Sequence, residues 1–395
     1  MNIKWQSMIH VPEIFVISGI HYASTKPVRI EIKDGLIHKV KETSSSDIGN
    51  TGLFIAPGLI DNQVNGYEGV NFADELLTVQ RLQKSAEAIW RDGVTSFMPT
   101  LVTDSHDNLV RNFRILAEAA SDEFFMNCIP GFHLEGPYLS PEPGFYGCHP
   151  PQYLRKPSWT EFTEFQEAAK GKIIDVTVAP ELEGAIEFIR SCVQSGVVVS
   201  IGHTNANAEQ INLAAESGAR ISTHLGNGCA NLIDRHKNPL WPQLANDLLT
   251  PTIIGDGHHL LPEEIRVFYK VKGAENIMLT SDVTHFIGMP PGEYNYMGSR
   301  IVKTIEGIIR IPELNCLAGA SFPIKTGVDN VMDYTGCTQG VAIKLASENV
   351  ARSYNLTDRG TLEAGKRADL ILFEKRNNKI IIKSTWVKGK CVYQA

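Results

Sequence analysis

The sequence predicts an α/β protein: a (β/α)8 TIM-like barrel carrying a small β-sandwich domain built from both termini. Three observations predict it. Apolar strand-like runs alternate with amphipathic helical stretches through the middle of the chain, both ends read as β structure alone, and polar residues able to do chemistry cluster just after the middle strands.

At the N-terminal end, strands are expected at 13–19, 27–33 and 36–41, with Asp34-Gly35 a strong hairpin signal between the last two. At the other end, 369–373, 379–383 and 385–393 repeat the pattern, with Asn377-Asn378 and Lys388-Gly389 as turns. Neither end has enough apolar surface for its own core. The simplest solution pairs residues 1–55 with 362–395 in one small domain. The barrel then spans 56–361, its strands expected at 54–60, 95–101, 128–134, 173–178, 197–201, 220–223, 252–255 and 276–280. Helical patterns at 76–91, 181–194, 208–217 and 262–271 supply crossovers, the last opening on Pro-Glu-Glu, a good helix start, and 321–355 reads as largely helical. A doubly wound open sheet would show a Gly-rich first turn, and Pro57-Gly58-Leu59-Ile60 contains no G-x-G-x-x-G.

A length of 395 residues suits one large domain plus a smaller one. The formal charge of -7 argues against a nucleic-acid or anionic-membrane partner, which would favour a basic face. A few local cations can still receive an anionic substrate. The seven cysteines are scattered without a Cys-x-x-Cys pair, an odd number in a chain too large to need staples, so reduced thiols are expected. No secretory leader is legible at 1–19 and no apolar run approaches the ~20 residues of a membrane span, so a cytoplasmic location is expected.

The expected strands end in chemistry. They are followed by Asp61-Asn62-Gln63-Val64-Asn65, His133-Leu134-Glu135, Gly202-His203-Thr204, Thr223-His224-Leu225, Asp256-Gly257-His258-His259 and Ser281-Asp282. A lone histidine is more often a satisfied structural residue. One carboxylate and two histidines from three strand ends, Glu135, His203 and His224, have the composition of a three-ligand catalytic metal site with an open position. His133 shares a strand face with Glu135 and reads as barrel interior that orients the site.

The segments PGLIDNQVNG (57–66), GFHLEGPYLSPE (131–142), GHTNA (202–206), THLGN (223–227), IGDGHH (254–259), LTSD (279–282) and DRGTLEAGKRADL (358–370) make the chain resemble the N-acetylglucosamine-6-phosphate deacetylases of the amidohydrolase superfamily, almost end to end. The resemblance implies hydrolysis of an N-acetylated amino sugar phosphate, with Glu135, His203 and His224 holding the metal and Asp282 acting as general base, then acid. It implies that His149 polarises the substrate carbonyl and that His259, Asn227 and Gly228 bind the sugar. Many superfamily members carry a His-x-His pair for a second metal where this chain has Gln63 and Asn65. Neutral amides are poor zinc ligands, so one divalent ion, zinc, is expected, with Gln63 and Asn65 on the substrate side.

The family binds phosphate partly through an arginine eleven residues after the second metal histidine, supplied by the neighbouring subunit. Arg235 stands at that spacing, which implies a homodimer with a shared site. Gly226-Asn227-Gly228-Cys229 lacks the aromatic and methionine of the family pattern, and the loop 232–244 with Trp241 is unusual, so a GalNAc-type or unphosphorylated sugar stays open. His285, just past Asp282, is placed to reach the sugar. Two other readings are an N-acyl-amino-acid or cyclic-amide hydrolase and a non-catalytic scaffold. The missing His-x-His pair disfavours the cyclic-amide hydrolases, and retention of Glu135, His203, His224 and Asp282 together disfavours the scaffold.

Overall fold

Eight parallel strands follow one another around a barrel: Leu59–Val64, Val94–Val102, Phe132–Glu135, Ile173–Val178, Val198–Ile201, Ile221–Ser222, Thr250–Ile254 and Met278–Thr280. This computed structural model describes residues 14–48 and 52–395, so Glu13, the first residue of the strand expected at 13–19, lies outside the described residues. The ring closes where Val64 bridges Val283 in parallel register and the Asn65 N–H meets the Val283 carbonyl at 2.8 Å.

The crossover helices start where side chains can satisfy free N–H groups. Thr78, Ser105 and Ser158 accept from Arg81, Asn108 and Glu161 ahead of the helices Val79–Arg91, His106–Ala119 and Trp159–Ala168. Asn207 and Gln210 form a reciprocal capping box before Ala208–Glu216. The helix expected at 181–194 begins only at Ala185, because Gly184 is left-handed (φ 81°).

One mouth of the barrel is plugged. Ile60, Met98, Ile221 and Met278, from four strands, pack on Val350, Ala351 and Tyr354 at the helix Glu348–Ser353. The Tyr354 hydroxyl donates to Asp175 Oδ2 (2.6 Å) and accepts from Asn62 Nδ2 (3.0 Å), while Ser200 donates to Asp175 Oδ1 (2.7 Å). A buried carboxylate is tolerated there because both its oxygens are satisfied. The strands' C-terminal ends are left to form the site.

The termini build one seven-stranded sheet in the order Lys390–Gln394, Lys379–Val387, Leu370–Arg376, Phe54–Pro57, Ile14–His21, Pro27–Lys33, Leu36–Glu42. Its tight turns fall on the expected pairs, with positive φ at Asp34-Gly35, Asn377-Asn378 and Lys388-Gly389. The sheet folds over so that Phe15 stacks on Trp386 (5.5 Å) and the Ile37 N–H reaches the Lys366 carbonyl (2.7 Å).

The strand expected at 54–60 is two strands. Phe54–Pro57 runs parallel to Ile14–His21 and antiparallel to Leu370–Arg376, and Leu59–Val64 is the first barrel strand. The division expected between 55 and 56 therefore falls inside a strand of the terminal sheet. Gly58 makes the joint: a Cβ there would lie 2.1 Å from the Thr95 side chain, too close for any other residue. The segment 358–370 clamps sheet to barrel. Buried Arg367 grips Asp369 at 2.7 and 3.2 Å and donates to the Met126 carbonyl at 3.0 Å, and the Gly58 N–H bonds the Asp369 carbonyl at 2.9 Å.

An addition that the sequence reading left unassigned follows the eighth barrel strand. Gly292–Tyr296, Ser299–Lys303, Ile309–Ile311 and Cys316–Leu317 form a four-stranded antiparallel sheet. Ile301, Ile309 and Ile311 bury with Phe286 beneath it.

Candidate active site

Every expected site residue except Gln63, Arg235 and His285 lines one cavity of about 920 Å³ at the open end of the barrel. Glu135 ends the third barrel strand, and its Oε1 lies 2.8 Å from His224 Nε2 and 3.4 Å from His203 Nε2. His149 closes the group, its Nε2 3.9 Å from Glu135 Oε2. All four side chains are buried.

His203 (φ 49°), His224 (φ 29°) and Asp282 (φ 52°) all hold left-handed backbone. Such a conformation costs a non-glycine residue roughly 1–3 kcal/mol and persists where the surroundings over-determine it. Gly228 (φ 62°) makes room for the site: a Cβ on it would come within 2.9 Å of His203 Nδ1.

The cluster asks for a cation. His203 Nδ1 donates to the Phe145 carbonyl at 2.9 Å, and a carbonyl can only accept. In a neutral ring, Nε2 is then a lone pair facing a carboxylate oxygen. His224 Nδ1 is buried without a partner. Burial alone would disfavour charge on Glu135, but the histidines gathered around it, with His224 Nε2 at 2.8 Å, outweigh this and hold its carboxyl well below the usual range. Burial likewise opposes charge on His224, yet Glu135 raises its pKa overall. Donor atoms of Glu135, His149 and His203 also lie within 4.8 Å of one another. One carboxylate among converging imidazoles is the donor set of a divalent ion such as zinc.

His149 behaves differently from the other two histidines. Its Nδ1 accepts from the Thr103 backbone N–H (3.4 Å) beside the Thr103 hydroxyl (2.9 Å), which leaves the ring proton on Nε2, toward the cavity. Burial and the neighbouring His203 push its pKa down to about 3, so near neutral pH the ring is an uncharged donor.

Asp282 is held by amides. Its Oδ1 accepts from Asn65 Nδ2 at 2.7 Å and Gln63 Nε2 at 3.0 Å. Burial, with Glu135 close by, raises its pKa above the usual carboxylate range. Gln63, expected on the substrate side, is buried behind Asp282 and does not reach the cavity. Its amide is spent on the carboxylate.

His259 Nδ1 donates to Asp256 Oδ2 at 2.8 Å, and Asp256 Oδ1 accepts the backbone N–H groups of His258 and His259 at 2.8 and 2.9 Å. Asp256 thus aims His259 at the cavity. Its role escaped the sequence reading, although the Asp-x-x-His spacing was a usable signal. Asp61 escaped likewise: it accepts from the Ser281 N–H at 3.1 Å, and burial pushes its pKa up to about 7. The Asn227 amide nitrogen is buried and unpaired at the cavity wall.

His133 sits below the site, bonded to Thr177 Oγ1 at 2.8 Å. His285 does not line the cavity; its ring packs on Phe286 (4.0 Å) and Tyr296 (5.1 Å), and Tyr296 takes the wall position instead. Arg235 is exposed and off its own cavity wall, its carbonyl accepting from Trp241 Nε1 at 2.9 Å. All seven cysteines are free. No helix among the described residues is long and apolar enough to cross a membrane.

The profile of the Amidohydrolase family matches residues 54–392. The chain is 32% identical over 372 residues to the N-acetylglucosamine-6-phosphate deacetylase of Caenorhabditis elegans, covering 90% of this chain and 86% of that one. It is 29% identical over 379 residues to the N-acetylgalactosamine-6-phosphate deacetylase of Shewanella sp. (strain ANA-3), covering 94% and 93%. The crystal structure of the Thermotoga maritima N-acetylglucosamine-6-phosphate deacetylase superposes with a TM-score of 0.85 at 27% identity, covering 96% of this chain and all of that one. A barrel with its site at the strand ends, a terminal sheet and a buried carboxylate–histidine cluster are what such a likeness requires. The chain belongs to the amidohydrolase family, among its N-acetylglucosamine-6-phosphate deacetylases.

Proposed function

We propose that this chain hydrolyses the acetamide of an N-acetylated amino sugar 6-phosphate, N-acetylglucosamine 6-phosphate first, releasing acetate and the free amine. The observation that carries the reading is the meeting of Glu135, His203 and His224 with an amide-held Asp282 at one barrel mouth. Glu135, His203 and His224 would hold one divalent metal, zinc by its donor set. When bound, such an ion lowers the pKa of water toward roughly 7 and so supplies a nucleophile at neutral pH.

The chain's own residues supply the remaining steps. Asp282 takes a proton from the attacking water and delivers it to the sugar nitrogen as the C–N bond breaks. The proton on His149 Nε2 donates to the carbonyl oxygen as negative charge develops there. His259, Asn227 and Gly228 position the sugar, and Asn65 lies between the base and the cavity. Arg235, exposed and away from its own cavity, would reach the phosphate in the site of a second subunit, making the working form a homodimer. The proposed substrate and the free thiols support a cytoplasmic location.

The galactosamine epimer is the second reading. The small residues of 226–229 on the cavity wall and the Shewanella relative both favour it. Acetate release measured on phosphorylated and unphosphorylated GlcNAc, GalNAc and ManNAc decides between them, and silence on all six ends the deacetylase reading. Asp282→Asn is expected to fold and keep its metal while losing about 10²–10⁴-fold in kcat. Activity within about tenfold of wild type would move the proton transfer to another group.

A further inference from the structure

Among the described residues that line the cavity, Arg310 is the only arginine or lysine. The wall also carries three carboxylates, Glu135, Glu264 and Asp282, so an anionic substrate entering this chain's own site meets one permanent positive charge.

The added four-stranded sheet places that charge. Arg310 lies directly opposite Val302 on one neighbouring strand and Leu317 on the other, so the three side chains share a face of the sheet. All three line the cavity. The flanking Ile309 and Ile311 bury with Ile301 and Phe286 beneath the sheet, Ile311 also edging the cavity. The sheet is therefore fixed to the body by one face and presents Arg310 from the other.

Arg310 also has no close carboxylate partner among the described residues. Among the described residues no carboxylate lies within 4 Å of its guanidinium, whereas Arg300, on the adjacent strand, is held by Glu293 at 2.8 Å and Glu313 at 2.9 Å. Glu306, the carboxylate that feels both Arg310 and His258, owes its lowered pKa first to the hydroxyl of Thr304. An arginine on the cavity wall with no close carboxylate among the described residues is free to receive an anion.

We infer that Arg310 grips the phosphate of the substrate from within the same subunit, through parallel N–H bonds of its guanidinium. This rests on the sugar-phosphate reading above and adds to it: Arg235 would serve a neighbour's site, whereas Arg310 gives each subunit its own anion anchor. Guanidinium–phosphate pairs are stronger than neutral hydrogen bonds, and their two-pronged geometry selects a phosphate over a hydroxyl.

The test compares metal-loaded wild type with Arg310→Ala, Arg310→Lys and the control Arg300→Ala. For each, kcat/KM is measured on the phosphorylated and unphosphorylated sugar, and calorimetry follows the binding of inorganic phosphate. Arg310→Ala is expected to lower the phosphorylated-to-unphosphorylated ratio of kcat/KM by about tenfold or more and to weaken phosphate binding in parallel. Arg310→Lys should recover part of both, and Arg300→Ala should match wild type. A ratio within about twofold of wild type, or phosphate binding that is absent in wild type or unchanged in Arg310→Ala, overturns the inference. Wild-type enzyme that releases no acetate defeats the deacetylase reading instead, and the calorimetry still judges Arg310.

Discussion

Replacing Asn65 by leucine removes the shorter of the two N–H donors on Asp282 while nearly preserving volume. The bond is 2.7 Å, and Gln63 at 3.0 Å stays behind. A hydrogen bond to an ionised group contributes about 1.5–3 kcal/mol. With one donor retained, the lower end applies, and about 1.4 kcal/mol corresponds to one pH unit or a factor of ten. The sign follows from which form is bonded. Amide N–H groups stabilise the carboxylate and oppose the burial and Glu135 charge that raise the Asp282 pKa, so losing one raises it further. A general base must be ionised, so the acid limb of the pH profile moves to higher pH by about one unit. The assay is acetate release in Asn65→Leu and wild type from about pH 5 to 9. An acid limb that moves to lower pH, or stays put with the plateau rate unchanged, would refute Asp282 as the titrating base. A fall in plateau rate with no displacement of the limb would mean that Asn65 acts on the sugar.

Gently purified protein should hold about one divalent metal per chain by elemental analysis, and Glu135→Ala should lose it, since only amides occupy the Gln63 and Asn65 positions. Arg235→Ala should lower the kcat/KM preference for the phosphorylated sugar by roughly 30-fold. Hybrids of Arg235→Ala with Asp282→Asn subunits should regain activity, and failure to do so despite demonstrated subunit exchange removes the shared site. Arg367→Met breaks a buried ion pair and should destabilise the fold by about 3–5 kcal/mol in denaturant unfolding, with Asp369→Leu in the same chain restoring part of the loss.

The barrel was legible because most of its strands carry polar residues at or just past their C-terminal ends. Those residues kept a readable order even where strand limits were misjudged by a few positions. The strand at 54–60 was not divisible from sequence: Phe54 to Ile60 carries no polar side chain, and only the close approach of Gly58 to Thr95 shows where the chain changes sheets. The added sheet escaped because its inward residues are isoleucines at alternate positions in short strands, too few to mark a pattern beside its exposed charges. At the site, the metal-type residues were readable from their chemical type. Gln63 was misplaced because an amide does not announce whether it faces substrate or a neighbouring carboxylate, and His285 because a position in sequence says nothing of the Tyr296 ring that takes its place on the wall.

The joint at Gly58 bears on how such a protein can change over generations. The strand that unites the chain's two ends continues, one residue later, into the strand whose amides steady Asp282. A crossover that exchanged the terminal sheet for a foreign one would cut that strand and disturb the two amides that hold the Asp282 carboxylate. The sheet and the barrel are thus joined as one unit through that strand, and an insertion is better tolerated in a turn far from it, such as Asn377-Asn378.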